Sequence, residues 1–225
     1  MDIFPVVVLV FCLLISLFAL YLLANDDFVL LRKQVLITKI FDIAFLIFGV
    51  SLFSARLFYV LFHFDQTFLS PFVFLLFPYF PGLSLPGGIV GGVLFFFSYS
   101  HSAKLPIGRV FDVFSLSLFS ALPLGLLMQF LVIKKEFFAI LLLFLGVAAS
   151  IFFFIMFIRS FQKGNFKDGS IGFLSLSCFS LIAFIAEFVG KKENDVLLIG
   201  VFLVSAVFFV HQEKPFLKIK NPFKK

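Results

Sequence analysis

The stretch FFAILLLFLGVAASIFFFIMFI, residues 137–158, decides the fold of this chain. It contains no charged residue, and it is longer than the roughly 20 apolar residues that a helix needs to cross a bilayer. Six other stretches are similarly apolar. We therefore predict seven transmembrane helices, at residues 3–24, 43–62, 83–99, 111–133, 137–158, 171–189 and 196–210.

The composition of the whole chain supports this prediction. Of its 225 residues, 62% are hydrophobic and 13% are charged, whereas about 25% of the residues in a globular protein are charged. Strand-like alternation is absent from the sequence, and only helices and closed barrels satisfy their backbones in lipid. We expect an all-α integral membrane protein, with residues 1–210 forming one polytopic domain and residues 211–225 a basic cytoplasmic tail. Residues 68–80 contain Pro71 and Pro78, which favour a surface or re-entrant segment over a span.

The distribution of Lys and Arg predicts the orientation. Most of them lie in the first, third and fifth loops and in the tail, whereas the even-numbered loops contain Lys134, Lys135, Lys191 and Lys192. Because cytoplasmic loops are rich in these residues, we place the amino terminus outside and the tail in the cytoplasm. No basic region precedes the first span, so we expect that span to be retained and not cleaved as a signal sequence. The net charge of +6 then reflects topology and attraction to anionic lipid; we expect no nucleic-acid partner.

Several polar residues lie within or beside the predicted spans, near their outer ends. They are Arg56, Glu187 and Gln129, with His63 in the adjacent outer loop. Ionisable groups in a membrane are costly and usually face a partner or a cavity. Two compatible interpretations of Arg56 and Glu187 follow: an ion pair that joins two helices, and a site in which Arg56 contacts a lipid phosphate and Glu187 orients it. His63 fits an ordinary interfacial histidine.

Four glycines, Gly87, Gly88, Gly91 and Gly92, begin the third predicted span. Their spacing makes two overlapping pairs of small residues four positions apart, which is typical of closely packed transmembrane helices. A second interpretation adds a helix amino terminus whose N–H groups face an anion. Both interpretations remain open at this stage.

Four segments of the chain resemble, in order, the motifs of one family. They are GVSLFSARLFYVLF (49–62), LSLPGGIVGG (83–92), Asp112 followed by LPLG (122–125), and FIAEF (184–188). The family is the bacterial phosphatidylglycerol–prolipoprotein diacylglyceryl transferases, and the resemblance extends from about residue 39 to residue 210.

The resemblance implies transfer of a diacylglyceryl group from phosphatidylglycerol to the lipobox cysteine of a lipoprotein precursor. It implies a location in the bacterial cytoplasmic membrane, with anionic phospholipid and the precursor peptide as partners. We expect no cofactor and no metal. We predict that lipid or phosphate is bound by Arg56, Tyr59, Gly87, Gly88, Gly91, Gly92, Gln129 and Glu187.

The chain also departs from the family pattern. Pro86 replaces a histidine, Leu126 and Ala183 replace arginines, Gln129 replaces an asparagine and Phe179 replaces a tyrosine. The remaining catalytic candidates are Arg56, Glu187 and His63, the last as a substitute base. Three functions follow: the family transfer by a diverged enzyme, a catalytically silent relative that binds phospholipid or lipoprotein precursors, and a small transporter component.

Overall fold

The computed structural model describes the backbone of residues 3–62, 82–132, 137–164, 166–189 and 196–213, and the side chains of residues 7–62, 82–127, 140–164, 166–185 and 197–213. Within these ranges the chain forms eight α-helices and no strand. They are α1 (Ile3–Asn25), α2 (Phe28–Arg32), α3 (Ile37–Phe62), α4 (Leu85–Ser102), α5 (Ile107–Val132), α6 (Phe137–Lys163), α7 (Ser170–Val189) and α8 (Val196–Glu213).

The all-helical class predicted from the sequence is confirmed over this part of the chain. Four helices contain segments that are long and apolar enough to cross a membrane, namely Val7–Asn25, Ile37–Phe62, Ile107–Leu127 and Ile140–Lys163. Shorter apolar segments occur in α7 and α8. The chain is thus a multi-pass membrane protein, while the count of seven spans, the orientation of the termini and the division at residue 210 stay predictions.

Each of the seven predicted spans coincides with a helix, but most of these helices are longer than the apolar stretch. Helix α3 begins at Ile37, before the predicted start at residue 43, and α6 continues to Lys163, beyond residue 158. Helical hydrogen bonding continues past the apolar core because the long stems of Lys and Arg allow their charges to reach the polar headgroup region. The short helix α2 was not predicted, and residues 68–80 lie outside the described residues.

Helix α5 is the centre of the bundle. It packs against α1, α6 and α7, while α3 pairs with α4 and α7 with α8. More than half of the segment Ile107–Leu127 is buried inside the protein, compared with less than a fifth of the other three long apolar segments. The outer helices therefore expose most of their apolar surface, as the surrounding lipid requires.

A chain of phenylalanine rings joins four of the helices near the ends at which α5 and α7 begin. The ring of Phe111 on α5 lies 5.1 Å from that of Phe97 on α4 and 4.9 Å from that of Phe173 on α7. Phe173 in turn stacks on Phe208 of α8, with 5.3 Å between the ring centroids. Such aromatic pairs stabilise a core beyond the area that they bury, so part of the phenylalanine content has a specific packing role.

Candidate functional site

Arg56 occupies a buried position at the junction of α3 and α4. The residue is 3% exposed, and its Nη1 donates a hydrogen bond to the backbone carbonyl of Gly82 at 2.7 Å. Its Cζ lies 5.9 Å from the centre of the Tyr59 ring, one helical turn further along α3. At the same level the N–H of Ser84 donates to the carbonyl of Ala55 at 3.0 Å. The segment that leads into α4 is therefore attached to α3 around the guanidinium.

Gly82 is required by this arrangement for two reasons. Its φ of +146° lies in a region that side-chain-bearing residues rarely adopt. A Cβ atom at this position would also overlap the ring of Tyr59. The approach of the Gly82 carbonyl to Arg56 thus depends on a residue without a side chain, which the sequence analysis did not single out.

The four glycines of α4 lie against α3. A Cβ atom would collide with Phe58 at Gly87, with Ser54 at Gly91 and with Ser51 at Gly92. At Gly88 it would lie 3.3 Å from the Cβ of Ala55.

The structure therefore gives all four glycines a role in the close packing of two helices. Their assignment to phosphate binding stays a prediction.

The first turn of α4 is capped within the chain. Ser84 accepts a hydrogen bond from the N–H of Gly87 at 3.3 Å, and its carbonyl accepts one from the N–H of Gly88 at 3.0 Å. Pro86, which is buried in this turn, has no N–H to donate. The anion-binding interpretation requires free N–H groups at this helix end. Two of these groups, those of Gly87 and Gly88, donate to Ser84 instead.

The other predicted site residues can be placed only in part. Gln129 and Glu187 are in the last turns of α5 and α7, and the direction of these helices puts both at the end of the bundle where α3 ends and α4 begins. Their side chains, and all of His63, lie outside the described residues. Contact between Arg56 and Glu187 therefore stays a prediction.

A second polar region, at the opposite end of the bundle, was not recognised as a site from the sequence. Asp112, which is 1% exposed, accepts hydrogen bonds from the N–H groups of Gly169 at 2.7 Å and Gly172 at 2.6 Å. Nearby, Glu213 accepts from the N–H of Lys167 and from the hydroxyl of Ser170, both at 2.7 Å. These bonds attach the start of α7 to α5 and α8.

An ion pair extends this region to α1 and α2. The Nε of Arg109 lies 2.6 Å from Oδ2 of Asp27, whose side chain is inaccessible to solvent. The guanidinium also covers the ring of Phe161, with 3.7 Å between Cζ and the ring centre. In the sequence Asp27 stands directly before an apolar segment, and residues at such positions commonly cap helices. This position was the one feature of the sequence that indicated a structural role for Asp27; nothing indicated the ion pair with Arg109.

Comparison with known proteins connects these features to a family. Residues 2–132, more than half of the chain, match the family described as prolipoprotein diacylglyceryl transferase. The chain belongs to the prolipoprotein diacylglyceryl transferase family. The comparisons with curated proteins and with solved structures each return no match.

The family match includes three of the four motifs identified in the sequence. Arg56, the glycines of α4 and Asp112 lie within the matched residues, whereas Glu187 lies beyond them. The described structure thus brings Arg56 and the glycines together at one end of this transferase-family bundle and places Asp112 at the other.

The resemblance expects arginines at positions 126 and 183, and the structure shows where the residues at these positions lie. Leu126 and Ala183 are both buried. Leu126 lines a cavity of about 180 Å³ between α5, α6 and α7, whose other walls include Leu143, Gly146 and Ile182. No charged side chain lines this cavity among the described residues.

Proposed function

We propose that this chain binds the phosphate of an anionic phospholipid at Arg56 and thereby takes part in lipoprotein maturation, with little or no diacylglyceryl transfer of its own. Phosphatidylglycerol is the expected lipid and a lipoprotein precursor the expected protein partner. The site lies in the outer half of a bacterial cytoplasmic membrane. The observation that supports this proposal is the buried, oriented guanidinium of Arg56.

A guanidinium is suited to phosphate because its N–H groups form a planar fork that pairs with two oxygens at once. In this chain the plane of the fork is oriented by the Gly82 carbonyl and the Tyr59 ring. A group that is ordered before its ligand arrives loses less conformational freedom on binding. Arg56 is thus an ordered group and not a mobile surface cation.

We expect weak catalysis because Leu126 and Ala183 stand at two positions where the resemblance expects arginines. In the family reaction a cysteine sulfur attacks a glycerol carbon, the bond from that carbon to a phosphate oxygen breaks, and glycerol phosphate leaves. Cationic donors near the leaving phosphate stabilise the charge that develops there, and removing one such donor typically costs about 10²–10³ in rate. Two expected donors are replaced here by the buried apolar residues Leu126 and Ala183.

Full transfer by this chain is the second candidate, and family membership favours it. The reaction would require a base for the thiol proton, for which His63 and Glu187 are the candidates. Arg56 would then stabilise the leaving phosphate in addition to binding it.

The test uses purified protein in vesicles that contain phosphatidylglycerol labelled in its headgroup, with a lipobox peptide as acceptor. Binding and release of labelled glycerol phosphate are measured separately. Arg56→Gln should weaken lipid binding about tenfold or more, while Arg56→Lys should retain part of it. Arg159→Gln, which removes an exposed cation at the other end of the bundle, should have no effect on binding at this site.

We expect no release of glycerol phosphate above the level of protein-free vesicles. Robust release that is abolished by His63→Ala or Glu187→Gln would establish the second candidate. Unchanged lipid binding in Arg56→Gln, with the fold verified by thermal unfolding, would eliminate the phosphate role and leave Arg56 as a link between α3 and α4.

A further inference from the structure

The short helix α2 exposes large apolar side chains at the end of the bundle that contains the ion pair of Asp27 and Arg109. Phe28 is 86% exposed and Leu31 57%, and Leu36 in the following turn is 70% exposed. Phe28 and Leu31 are three positions apart, so they lie on the same side of the helix. Leu36, directly before α3, is a third exposed apolar residue, and the three are called here the apolar surface of the α2 segment.

This surface is held in place by the buried side of α2. Leu30 is 1% exposed and packs into the core. Asp27 caps the helix by accepting from the N–H groups of Val29 at 2.8 Å and Leu30 at 3.1 Å, and its other oxygen is paired with Arg109. A five-residue helix is not stable alone, so these contacts determine where Phe28 and Leu31 lie.

Two exposed cations, Arg32 and Lys33, lie at the carboxyl end of the same helix. The chain then turns at Gln34, whose φ is +52°, and the N–H of Val35 donates to the carbonyl of Leu30 at 3.0 Å. Of the two acidic residues that precede α2, Asp27 is already paired with Arg109. Asp26 is exposed and offsets one of the two cations, so the exposed charges beside these apolar side chains keep a small positive excess.

Apolar residues beside Lys and Arg are typical of helices that lie in the plane of a membrane interface. The preceding helix, α1, also exposes apolar residues, among them Phe18 and Leu22, on a transmembrane segment that ends just before α2. We propose that α2 and the turn through Leu36 lie in the membrane interface, with Phe28, Leu31 and Leu36 inserted among the acyl chains and Arg32 and Lys33 bound to anionic lipid headgroups. This interaction is separate from lipid binding at Arg56, which lies at the opposite end of the bundle.

The absence of tryptophan from the sequence makes a direct test possible, because one introduced tryptophan is the only one that fluoresces. Phe28→Trp is reconstituted in phosphatidylcholine vesicles that contain phosphatidylglycerol and lipids brominated at a shallow or a deep acyl position. We expect stronger quenching by the shallow bromines. Phe18→Trp, on the lipid-facing side of α1, is the matched control and should be quenched more strongly by the deep bromines. Quenching of Phe28→Trp by aqueous acrylamide and not by either bromolipid would overturn the proposal.

The role of charge is tested by varying the lipid composition. Raising the phosphatidylglycerol fraction should shift the emission of Phe28→Trp to the blue, and the combined changes Arg32→Gln and Lys33→Gln should abolish that shift. The control variant combines Arg159→Gln and Lys163→Gln and so removes two positive charges from exposed residues near the end of α6. It should leave the blue shift unchanged. A shift that depends on protein concentration at constant lipid would show that a second copy of the chain covers this surface. An emission that does not respond to phosphatidylglycerol would exclude headgroup binding. Either result overturns the proposal.

Discussion

The carboxylate of Asp112 at the start of α5 lies 2.6 Å from the backbone nitrogen of Gly172 at the start of α7. Its second oxygen accepts from Gly169 at 2.7 Å. One side chain thus satisfies two N–H groups at a helix start, where the backbone lacks partners of its own. In this family member Asp112 joins α5 to α7, far from Arg56.

Replacing Asp112 by asparagine should destabilise the protein. Asparagine has one oxygen and one NH2 group, so one of the two backbone N–H groups would face a donor. A buried polar group without a partner costs about 1–3 kcal/mol. Thermal unfolding in detergent measures the loss. Asp168→Asn is the control, because that carboxylate is more than half exposed and lies 3.8 Å from Arg109, and such pairs contribute little. Equal melting temperatures for wild type and Asp112→Asn would contradict the structural role.

Gly172→Ala should also weaken the contact between α5 and α7. The added Cβ would lie 2.5 Å from Cδ1 of Phe111 and 3.2 Å from Oδ1 of Asp112, and overpacking of this kind costs about 1–3 kcal/mol. Gly200→Ala on α8 is the matched control, since its Cβ would have no neighbour within 4 Å and alanine favours a helix by about 1 kcal/mol over glycine. We expect opposite shifts in melting temperature; a stabilised Gly172→Ala would refute this packing.

The packing of α3 against α4 can be tested by two substitutions, made singly and together. Gly91→Ala places a Cβ onto the side chain of Ser54 and should cost about 1–3 kcal/mol. Ser54→Gly in the same chain removes the obstacle, so the double variant should be more stable than the sum of the single effects indicates. Gly49→Ala on α3, which has no neighbour within 4 Å, controls for the effect of alanine alone. Strictly additive effects would show that the two residues do not touch.

Changes at Asp27 should separate its two roles. Asparagine is also a good helix cap, so Asp27→Asn removes the ion pair with Arg109 and keeps the cap. Asp27→Ala removes both and should cost about 1 kcal/mol more. Hydrogen exchange at the amides of Val29 and Leu30 reports the cap directly, and it should accelerate in Asp27→Ala more than in Asp27→Asn. Identical exchange in the two variants would show that the cap does not hold α2.

The predicted orientation is tested by reporter fusions. A reporter after Lys225 should behave as cytoplasmic, and one near Gln66 as external, because Lys and Arg are concentrated in the odd-numbered loops and the tail. As a control, lysines are added beside Gln66, and they should reduce the external signal of the reporter fused there. A cytoplasmic signal near Gln66 in the unmodified chain would contradict the seven-span topology.

The helices were largely predictable, because the membrane requires each span to be apolar over its own length. The stretch at 137–158 is contained in α6, and those at 3–24 and 196–210 in α1 and α8. The ends were less predictable: α3 continues through Lys39 and Asp42 and α8 through His211 to Glu213, since charged residues can extend a helix into the headgroup region. The glycines of α4 were recognised by their spacing, but which side chains they approach depends on a partner helix more than 25 residues earlier in the chain.

By itself, the sequence determined that this protein is helical and embedded in a membrane and that it belongs to a diacylglyceryl transferase family, because apolar length and short motifs are local properties. Only the tertiary structure decided that Arg56 is oriented by Gly82, that Leu126 faces an apolar cavity, and that Asp27 is paired with Arg109. These contacts join residues that are 26 to 82 positions apart or lie on different helices. No local pattern specifies them, since they arise from the way in which whole helices pack.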